Sequence, residues 1–257
     1  MLAHQPGGHE EGGGEAVLLQ HRYRVDRGAL AAIVEGGHDV QRPSRRAKGH
    51  PGVAKMGLMN WNTRWYLDLN SIARHTGWAH GMATAYAVAG GLVVLGMVLA
   101  AGWFIARQQS TRKVGASVSA GLAALVGFLI NQPISNVIAE RRPYQTLHHV
   151  LVLVPRVRDF SMPSDHAVVA GAVIAGVLLY NWRLGLPAIA AGLALAFDRV
   201  YVGAHYPGDV LAGLGLGAVV AMCLYVIIGP PLEAVAAFLA KTPLRRLVVG
   251  SPSPRQP

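Results

Sequence analysis

The sequence predicts an all-α membrane protein, a polytopic helix bundle of about five spans preceded by an interfacial or re-entrant helix. Of its 257 residues, 52% are hydrophobic and only 14% are charged, whereas charged residues make up about 25% of an average soluble domain. The apolar residues also occur in long blocks separated by short polar connectors. Since the net charge of +10 lies mainly in termini and connectors, it indicates membrane orientation and argues against nucleic-acid binding.

Composition divides the chain into three parts. Residues 1–58 are rich in Gly, His, Arg and acidic residues, and we expect a disordered, low-complexity extension there. Met56 and Met59 are candidate alternative starts, so we hypothesise that this extension is a segment outside the native protein. Residues 59–230 form the expected membrane domain, and residues 231–257 form a basic tail expected in the cytoplasm.

Six helical segments are expected in the membrane domain. The first, Trp61–Trp78, is rich in aromatic residues, which favour the membrane interface. The third and fourth spans are short, because 14 residues at 1.5 Å each cover about 21 Å of a hydrocarbon core that is about 30 Å thick. The polar flanks of these two spans should therefore lie at the membrane edge. The expected spans are Gly81–Ala106, Val114–Ile130 with a continuation toward Glu140, Ala167–Tyr180, Leu184–Phe197 and Val210–Ile228, the last with a small-residue packing face of Gly213, Gly215 and Gly217.

Basic connectors predict the orientation of the bundle. Alternating spans place Arg107–Lys113, Asn181–Arg183 and the tail after Ile228 on one side, which the positive-inside rule assigns to the cytoplasm. The other side then receives Glu140–His166 and Arg199–Asp209. We therefore expect a multi-pass plasma-membrane protein with these polar segments on its extracytoplasmic face.

Three polar strings on that face carry the candidate chemistry. Charged and imidazole side chains are costly beside hydrocarbon, so a cluster of them is a functional-site hypothesis by default. Guanidinium, imidazole, carboxylate and hydroxyl groups together are suited to binding a phosphate and cleaving it through a histidine nucleophile. The strings are Arg141-Arg142-Pro143, Pro163-Ser164-Asp165-His166, and Arg199 followed by His205 and Asp209.

His205 is the candidate nucleophile. Pro207 fits the first turn of the last helix, so Asp209 can reach the imidazole of His205. A carboxylate on one ring nitrogen fixes the tautomer and leaves the other nitrogen able to attack. The alternative is that Asp209 only caps the helix and interacts with its dipole.

The second string places His166 and Ser164 at the start of another helix. Free backbone N–H groups there favour an anion, Ser164 can donate a hydrogen bond, and His166 can protonate a departing oxygen. The alternative is an ordinary N-cap with an incidental interfacial histidine.

Arg142 and Arg199 supply forked donors that match phosphate oxygens, and Arg141 is a candidate helper. The alternative for each arginine is a contact with lipid headgroups. The combination favours one site, because all three alternatives would have to coincide on one side of the membrane.

Together these residues resemble the three-part pattern of the type-2 phosphatidic acid phosphatase superfamily, K-x6-R-P, then P-S-G-H, then S-R-x5-H-x3-D. Arg142-Pro143 matches the end of the first part, and Pro163-Ser164-Asp165-His166 matches the second with Asp in place of Gly. Arg199, His205 and Asp209 match the third part in type and spacing. The resemblance covers roughly Trp61 to Ile228.

The resemblance implies a role for each residue. His205 would attack phosphorus and form a phosphohistidine, with Asp209 orienting it and His166 protonating the leaving group. Arg142, Arg199 and Ser164 would hold the phosphate oxygens, with no metal and no cofactor. Two positions depart from the pattern: Ser135 stands in place of the lysine, for which Arg141 is a candidate substitute, and Asp198 stands in place of the serine.

The expected function is hydrolysis of a lipid phosphate or diphosphate within the membrane. Asp165 favours undecaprenyl (polyprenyl) diphosphate as the substrate, because the P-S-D-H form resembles the polyprenyl-diphosphate branch of the family. Phosphatidic acid or phosphatidylglycerophosphate is the alternative substrate. A membrane transporter or proton relay, or an inactive lipid-phosphate binder, is the alternative outside this class. The expected partners are this lipid phosphate and membrane lipids, and no nucleic acid is expected.

Overall fold

A computed structural model describes the backbone of residues 52–250 and the side chains of residues 61–250. Within residues 52–250 all regular structure is helical, which confirms the predicted all-α class. A 3₁₀ turn, Gly77–Ala79, precedes α2, and a π-helical turn, Tyr86–Gly90, joins α2 to α3. The helices are α1 Gly52–His75, α2 His80–Ala85, α3 Gly91–Arg107, α4 Thr111–Ile138, α5 Pro143–Thr146, α6 Asp165–Leu178, α7 Trp182–Tyr201, α8 Pro207–Leu239 and α9 Arg245–Val248.

Five helical segments match the predicted spans. Four are long and apolar enough to cross a membrane: Gly77–Arg107, Thr111–Thr146 (which begins with α4), helix α7 and helix α8. The fifth, α6, is a shorter apolar helix, as its sequence predicts. It contacts α3, α4, α7 and α8, so it lies at the centre of the bundle. The chain is thus a membrane protein with several apolar helices.

Helix α1 is amphipathic and packs along the bundle. Tyr66 and Ala73 are fully buried, whereas Trp65 and Ile72 are half exposed. The buried face contacts α7 and α8. This arrangement agrees with the interfacial helix predicted before the first span.

Two glycines of α8 bring its backbone against α6. A Cβ on Gly213 would lie 2.7 Å from the carbonyl oxygen of Ser164, and one on Gly217 would lie 2.6 Å from the amide nitrogen of Ala172. Gly215 faces open space, because residues four apart share a helix face and residues two apart do not. The predicted small-residue face therefore consists of Gly213 and Gly217, and this close approach sets the position of the first turn of α6.

The Gly217→Ala substitution should destabilise the bundle, whereas Gly215→Ala should not. The added methyl of Gly217→Ala overpacks the α6–α8 contact and should cost about 1–3 kcal/mol of unfolding free energy. Gly215→Ala adds a methyl in open space, where higher helix propensity should stabilise by up to about 1 kcal/mol. Thermal unfolding in detergent, followed by circular dichroism, compares the two. Equal midpoints would contradict the packing assigned to this face.

The helix boundaries differ from the predicted domain boundaries at both ends. Helix α1 begins at Gly52, so the end of the extension predicted as disordered is helical. Good helix formers such as Ala54, Lys55 and Met56 account for this. Helix α8 continues through Pro230 and Pro231 to Leu239, because an apolar stretch resumes after the prolines. The remainder of the predicted extension, residues 1–51, lies outside the described residues. The end of the predicted tail, residues 251–257, lies outside them as well.

Candidate active site

The three polar strings meet at one end of the bundle. The loop after α4, the start of α6 and the α7–α8 turn together enclose a cavity of about 250 Å³. His166 and His205 face the same cavity, as the site hypothesis requires. Its polar wall consists of Arg142, Asp159, Asp165, His166, Arg199 and His205.

A tight turn between α7 and α8 explains the spacing of the third string. Arg199 lies in the last turn of α7, and Pro207 opens α8 as its first residue. Between them, Gly203 adopts a left-handed conformation with φ of 81°, which only glycine adopts readily. A side chain at Gly203 would also collide with the carbonyl oxygen of Leu151. The chain therefore reverses within a few residues and directs Arg199 and His205 into one cavity.

The hydrogen bonds of His205 define its tautomer. Its Nδ1 lies 2.8 Å from the carbonyl oxygen of Ser161, and since a carbonyl only accepts, Nδ1 must carry the proton. The Nε2 atom, 3.0 Å from Nη1 of Arg142, then holds the lone pair. Burial, together with the positive charges of Arg142 and Arg199, holds the pKa of His205 well below its usual range. His205 is therefore a neutral imidazole whose Nε2 lone pair accepts from Arg142.

Asp209 acts on His205 partly through Ser161. Its Oδ2 accepts the hydroxyl of Ser161 and the backbone N–H of Tyr206 at 2.8 Å, and lies 3.6 Å from Nδ1 of His205. Asp209 is fully buried. It thus caps α8 and also lies beside the imidazole, so both interpretations of this residue describe part of its environment.

The low pKa of His205 predicts how activity depends on pH. The nucleophile must be neutral, and a histidine of ordinary pKa would lose activity as pH falls through about 6.5. Because the pKa of His205 lies well below its usual range, the acid limb of kcat/KM should lie below pH 6.5. A pH–rate profile, with the substrate's own ionisation titrated separately as the control, measures this limb. A histidine-dependent limb at or above pH 6.5 would contradict the neutral, buried imidazole.

Arg142 is held rigidly at the cavity wall. Its Nε donates to Oδ1 of Asp159 at 2.7 Å, and its Nη1 donates to the carbonyl oxygen of Ala204 at 3.2 Å. The Arg142 side chain is only 7% exposed. Arg142 therefore presents its donors from a fixed position beside Nε2 of His205.

Arg199 is anchored by the π-helical turn. Its Nη1 donates to the carbonyl oxygen of Ala87 at 3.0 Å, and π-helical turns often occur at functional sites. Its Nε is buried and has no hydrogen-bond partner among the described residues. Arg199 therefore retains donors that an anion in the cavity could use.

Two further polar atoms of the second string lack partners. The hydroxyl of Ser164 and Nε2 of His166 are buried without a hydrogen bond in the part of the chain that the structure describes. Ser164 occupies the N-cap position of α6, but its side chain makes no cap hydrogen bond, so the N-cap alternative does not explain it. Leaving a buried polar group unpaired costs about 1–3 kcal/mol, so such groups call for a ligand or another explanation.

Two positions of the first string lie away from the cavity. Arg141 is exposed and lines a neighbouring pocket with Asn62, Thr146 and Tyr206. The structure therefore does not bring Arg141 to the residues it was expected to help. Ser135, at the position of the pattern's lysine, is half-buried in α4 and does not line the cavity.

Sequence reasoning missed three residues that support the site. Ser161 contacts both His205 and Asp209, Asp159 pairs with Arg142, and Asn131 reaches the second string from α4. Asn131 had a detectable signal, since it is an amide inside an apolar span. Ser161 and Asp159 lie in an irregular loop, where spacing does not predict contacts.

No group of three or more His, Cys, Asp or Glu side chains is placed to hold a metal ion within the described range.

Comparisons with known proteins identify the family to which the chain is similar. The model of the PAP2 superfamily matches residues 116–231. The undecaprenyl-diphosphatase BcrC of Bacillus subtilis is 34% identical over 142 residues, which cover 55% of this chain and 69% of that protein. An undecaprenyl-diphosphatase of Sulfolobus acidocaldarius is 31% identical over 114 residues, covering 43% of this chain and 53% of that protein. The chain thus spans between about half and two thirds of these relatives.

A solved structure supports the fold. The crystal structure of Aquifex aeolicus LpxE superimposes with a TM-score of 0.50 at 22% identity, covering 62% of this chain and 94% of that chain. At this identity the likeness concerns the fold alone. With the polar strings enclosing one cavity, a matching family model and a relative of 34% identity, the chain belongs to the PAP2 superfamily.

Proposed function

We propose that this protein is a membrane phosphatase that hydrolyses a polyprenyl diphosphate through a phosphohistidine intermediate, without a metal. The observation that carries the proposal is the neutral His205, whose Nε2 lone pair faces the cavity beside Arg142. Arg199 and His166, on the same cavity wall, hold buried nitrogens that have no hydrogen-bond partner among the described residues. An anionic phosphate would accept a hydrogen bond from Nε of Arg199, and one from Nε2 of His166 when that nitrogen carries the proton it donates.

The reaction takes place in two displacements. Nε2 of His205 attacks the terminal phosphorus, the bond from phosphorus to the leaving oxygen breaks, and His166 gives that oxygen a proton. Water then attacks the phosphohistidine while His166 takes a proton from it, which releases inorganic phosphate and frees His205. Arg142 and Arg199 stabilise the charge on the phosphoryl oxygens in each step.

Two observations favour a lipid-linked diphosphate. Apolar side chains, among them Val88, Val154 and Val157, complete the cavity wall, so the cavity can receive an apolar chain beside the phosphate. Both undecaprenyl-diphosphatases described above are relatives. A cavity of about 250 Å³ holds a headgroup and only the start of a polyprenyl chain, so the remainder would lie in the membrane.

The position of the site argues against a transporter. Transporters bind their substrates near the bilayer midplane on broken helices, whereas these residues lie at helix ends. We place the site on the extracytoplasmic face of the plasma membrane, because basic residues concentrate in the connectors at the opposite end of the bundle.

Phosphate release from purified protein tests this function. The protein is offered a polyprenyl diphosphate and, separately, phosphatidic acid, each with and without a chelator. We expect release that is faster from the diphosphate and unchanged by the chelator. No release from either lipid would contradict the enzyme, a preference for phosphatidic acid would contradict the substrate, and loss with chelator would contradict the metal-free mechanism.

A further inference from the structure

Asn131 makes contacts that the mechanism above does not use. It is fully buried in α4, a helix that is otherwise largely apolar. Its Nδ2 lies 2.9 Å from the carbonyl oxygen of Pro163 and 2.6 Å from Oδ1 of Asp165. Because both partners are acceptors, the amide nitrogen must face them. One side chain therefore holds the residues on both sides of Ser164.

A second amide supports the same carboxylate. Nε2 of Gln132 lies 2.9 Å from Oδ1 of Asp165, which is the first residue of α6 and the neighbour of His166. Both donors are amides, so they hold Asp165 in place by hydrogen bonds without a salt bridge. The pattern's lysine position, Ser135, is one turn further along α4. Helix α4 thus contributes amides to the start of α6 and contributes no cation to the cavity.

We propose that Asn131 is a positioning residue for His166. By holding Pro163 and Asp165 it fixes the first turn of α6, and with it the direction from which His166 reaches the leaving oxygen. The inference rests on the proposed function, because it concerns the proton donor of that reaction. Asn131 itself lies outside the cavity wall and acts only through these contacts.

The leaving group provides a readout that a purely structural role would not give. A misplaced proton donor slows the departure of a strongly basic oxygen, such as an alkoxide, far more than that of 4-nitrophenolate, which leaves without a proton. A general loss of folding or of phosphate binding would slow both reactions equally. The ratio of the two kcat/KM values, which exclude the later hydrolysis of the phosphohistidine, therefore reports on proton donation by His166.

The experiment compares dodecyl phosphate with 4-nitrophenyl phosphate, using the full-length protein in detergent. For Asn131→Ala we expect kcat/KM, which reflects only the first displacement, to fall about 10- to 100-fold on dodecyl phosphate, with less than about a 3-fold change on the aryl ester. His166→Ala should show the same bias more strongly. The control is Asn136→Ala, an exposed amide on the same helix, which should leave both rates unchanged.

An exchange of partners covers the case in which Asn131→Ala does not fold. The isosteric Asn131→Asp variant places a carboxylate against that of Asp165, so it should also slow the alkyl ester more than the aryl ester. Adding Asp165→Asn restores a donor–acceptor pair between the two positions and should recover most of the rate on the alkyl ester. Suppose that His166→Ala loses activity mainly on the alkyl ester, but the Asn131 variants lose activity equally on both esters or on neither. That result would overturn this inference alone. An unbiased His166→Ala would contradict the proton donor. A wild type that hydrolyses neither these two esters nor the polyprenyl diphosphate would contradict the proposed function and with it this inference.

Discussion

Replacing His205 with alanine should abolish phosphate release, with kcat falling by at least about 10⁴-fold, because loss of the nucleophile of a coupled catalytic group costs up to about 10⁶-fold. His205 is almost fully buried, and Arg142 and Ser161 bind its two ring nitrogens. Alanine removes the attacking atom while leaving the arginines in place. Substrate binding should therefore persist, and KM should change much less than kcat.

Phosphate release from the lipid diphosphate measures this effect. The matched control is His148→Ala, an exposed loop histidine, which should retain wild-type activity. Thermal unfolding of both variants shows whether the fold is kept. A folded His205→Ala protein with activity close to wild type would remove His205 from the role of nucleophile.

Replacing Arg142 with alanine should lower kcat/KM by about 10³-fold, the lower range for an arginine that stabilises a phosphoryl transition state. The Arg142 guanidinium lies 3.0 Å from Nε2 of His205 and is fixed by Asp159, so it lies where charge develops on the phosphoryl group. Arg142→Lys keeps the charge but loses the forked geometry, and should cost about 10²-fold.

The adjacent arginine provides the control for this prediction. Arg141 is exposed and lines a different pocket, so Arg141→Ala should change kcat/KM by less than about 3-fold. Steady-state kinetics on one substrate compares the two arginines directly. Equal losses would contradict the geometry, because they would place both guanidinium groups at the phosphate.

Residue spacing predicted those parts of the site that lie on regular structure. His205 and Asp209 are one helical turn apart, and their contact follows from the start of α8 at Pro207. Gly213 and Gly217 share a helix face by the same periodicity, whereas Gly215 does not. Four of the five predicted spans were predictable because hydrocarbon requires long apolar helices, and α6 was predictable as a shorter apolar block.

The remainder depended on irregular backbone. Arg141 and Arg142 are neighbours in sequence, but only Arg142 points into the cavity. Its extended backbone conformation before Pro143, which a following proline favours, gives it this direction. Ser161 approaches His205 through the long loop before α6, and no periodicity links these two positions. The burial of Asn131 against the second string likewise depends on how α4 and α6 pack.

Direct detection of phosphohistidine tests the central claim most closely. The protein is mixed with a polyprenyl diphosphate labelled in its terminal phosphate, quenched at alkaline pH within the first turnover, and digested for mass spectrometry. We predict an acid-labile, base-stable phosphate on the peptide that contains His205. This phosphate should be absent from the His205→Ala variant. It should still form in the His166→Ala variant when 4-nitrophenyl phosphate is the donor. Label on any other residue, or active turnover with no labelled protein under these conditions, would contradict nucleophilic attack by His205.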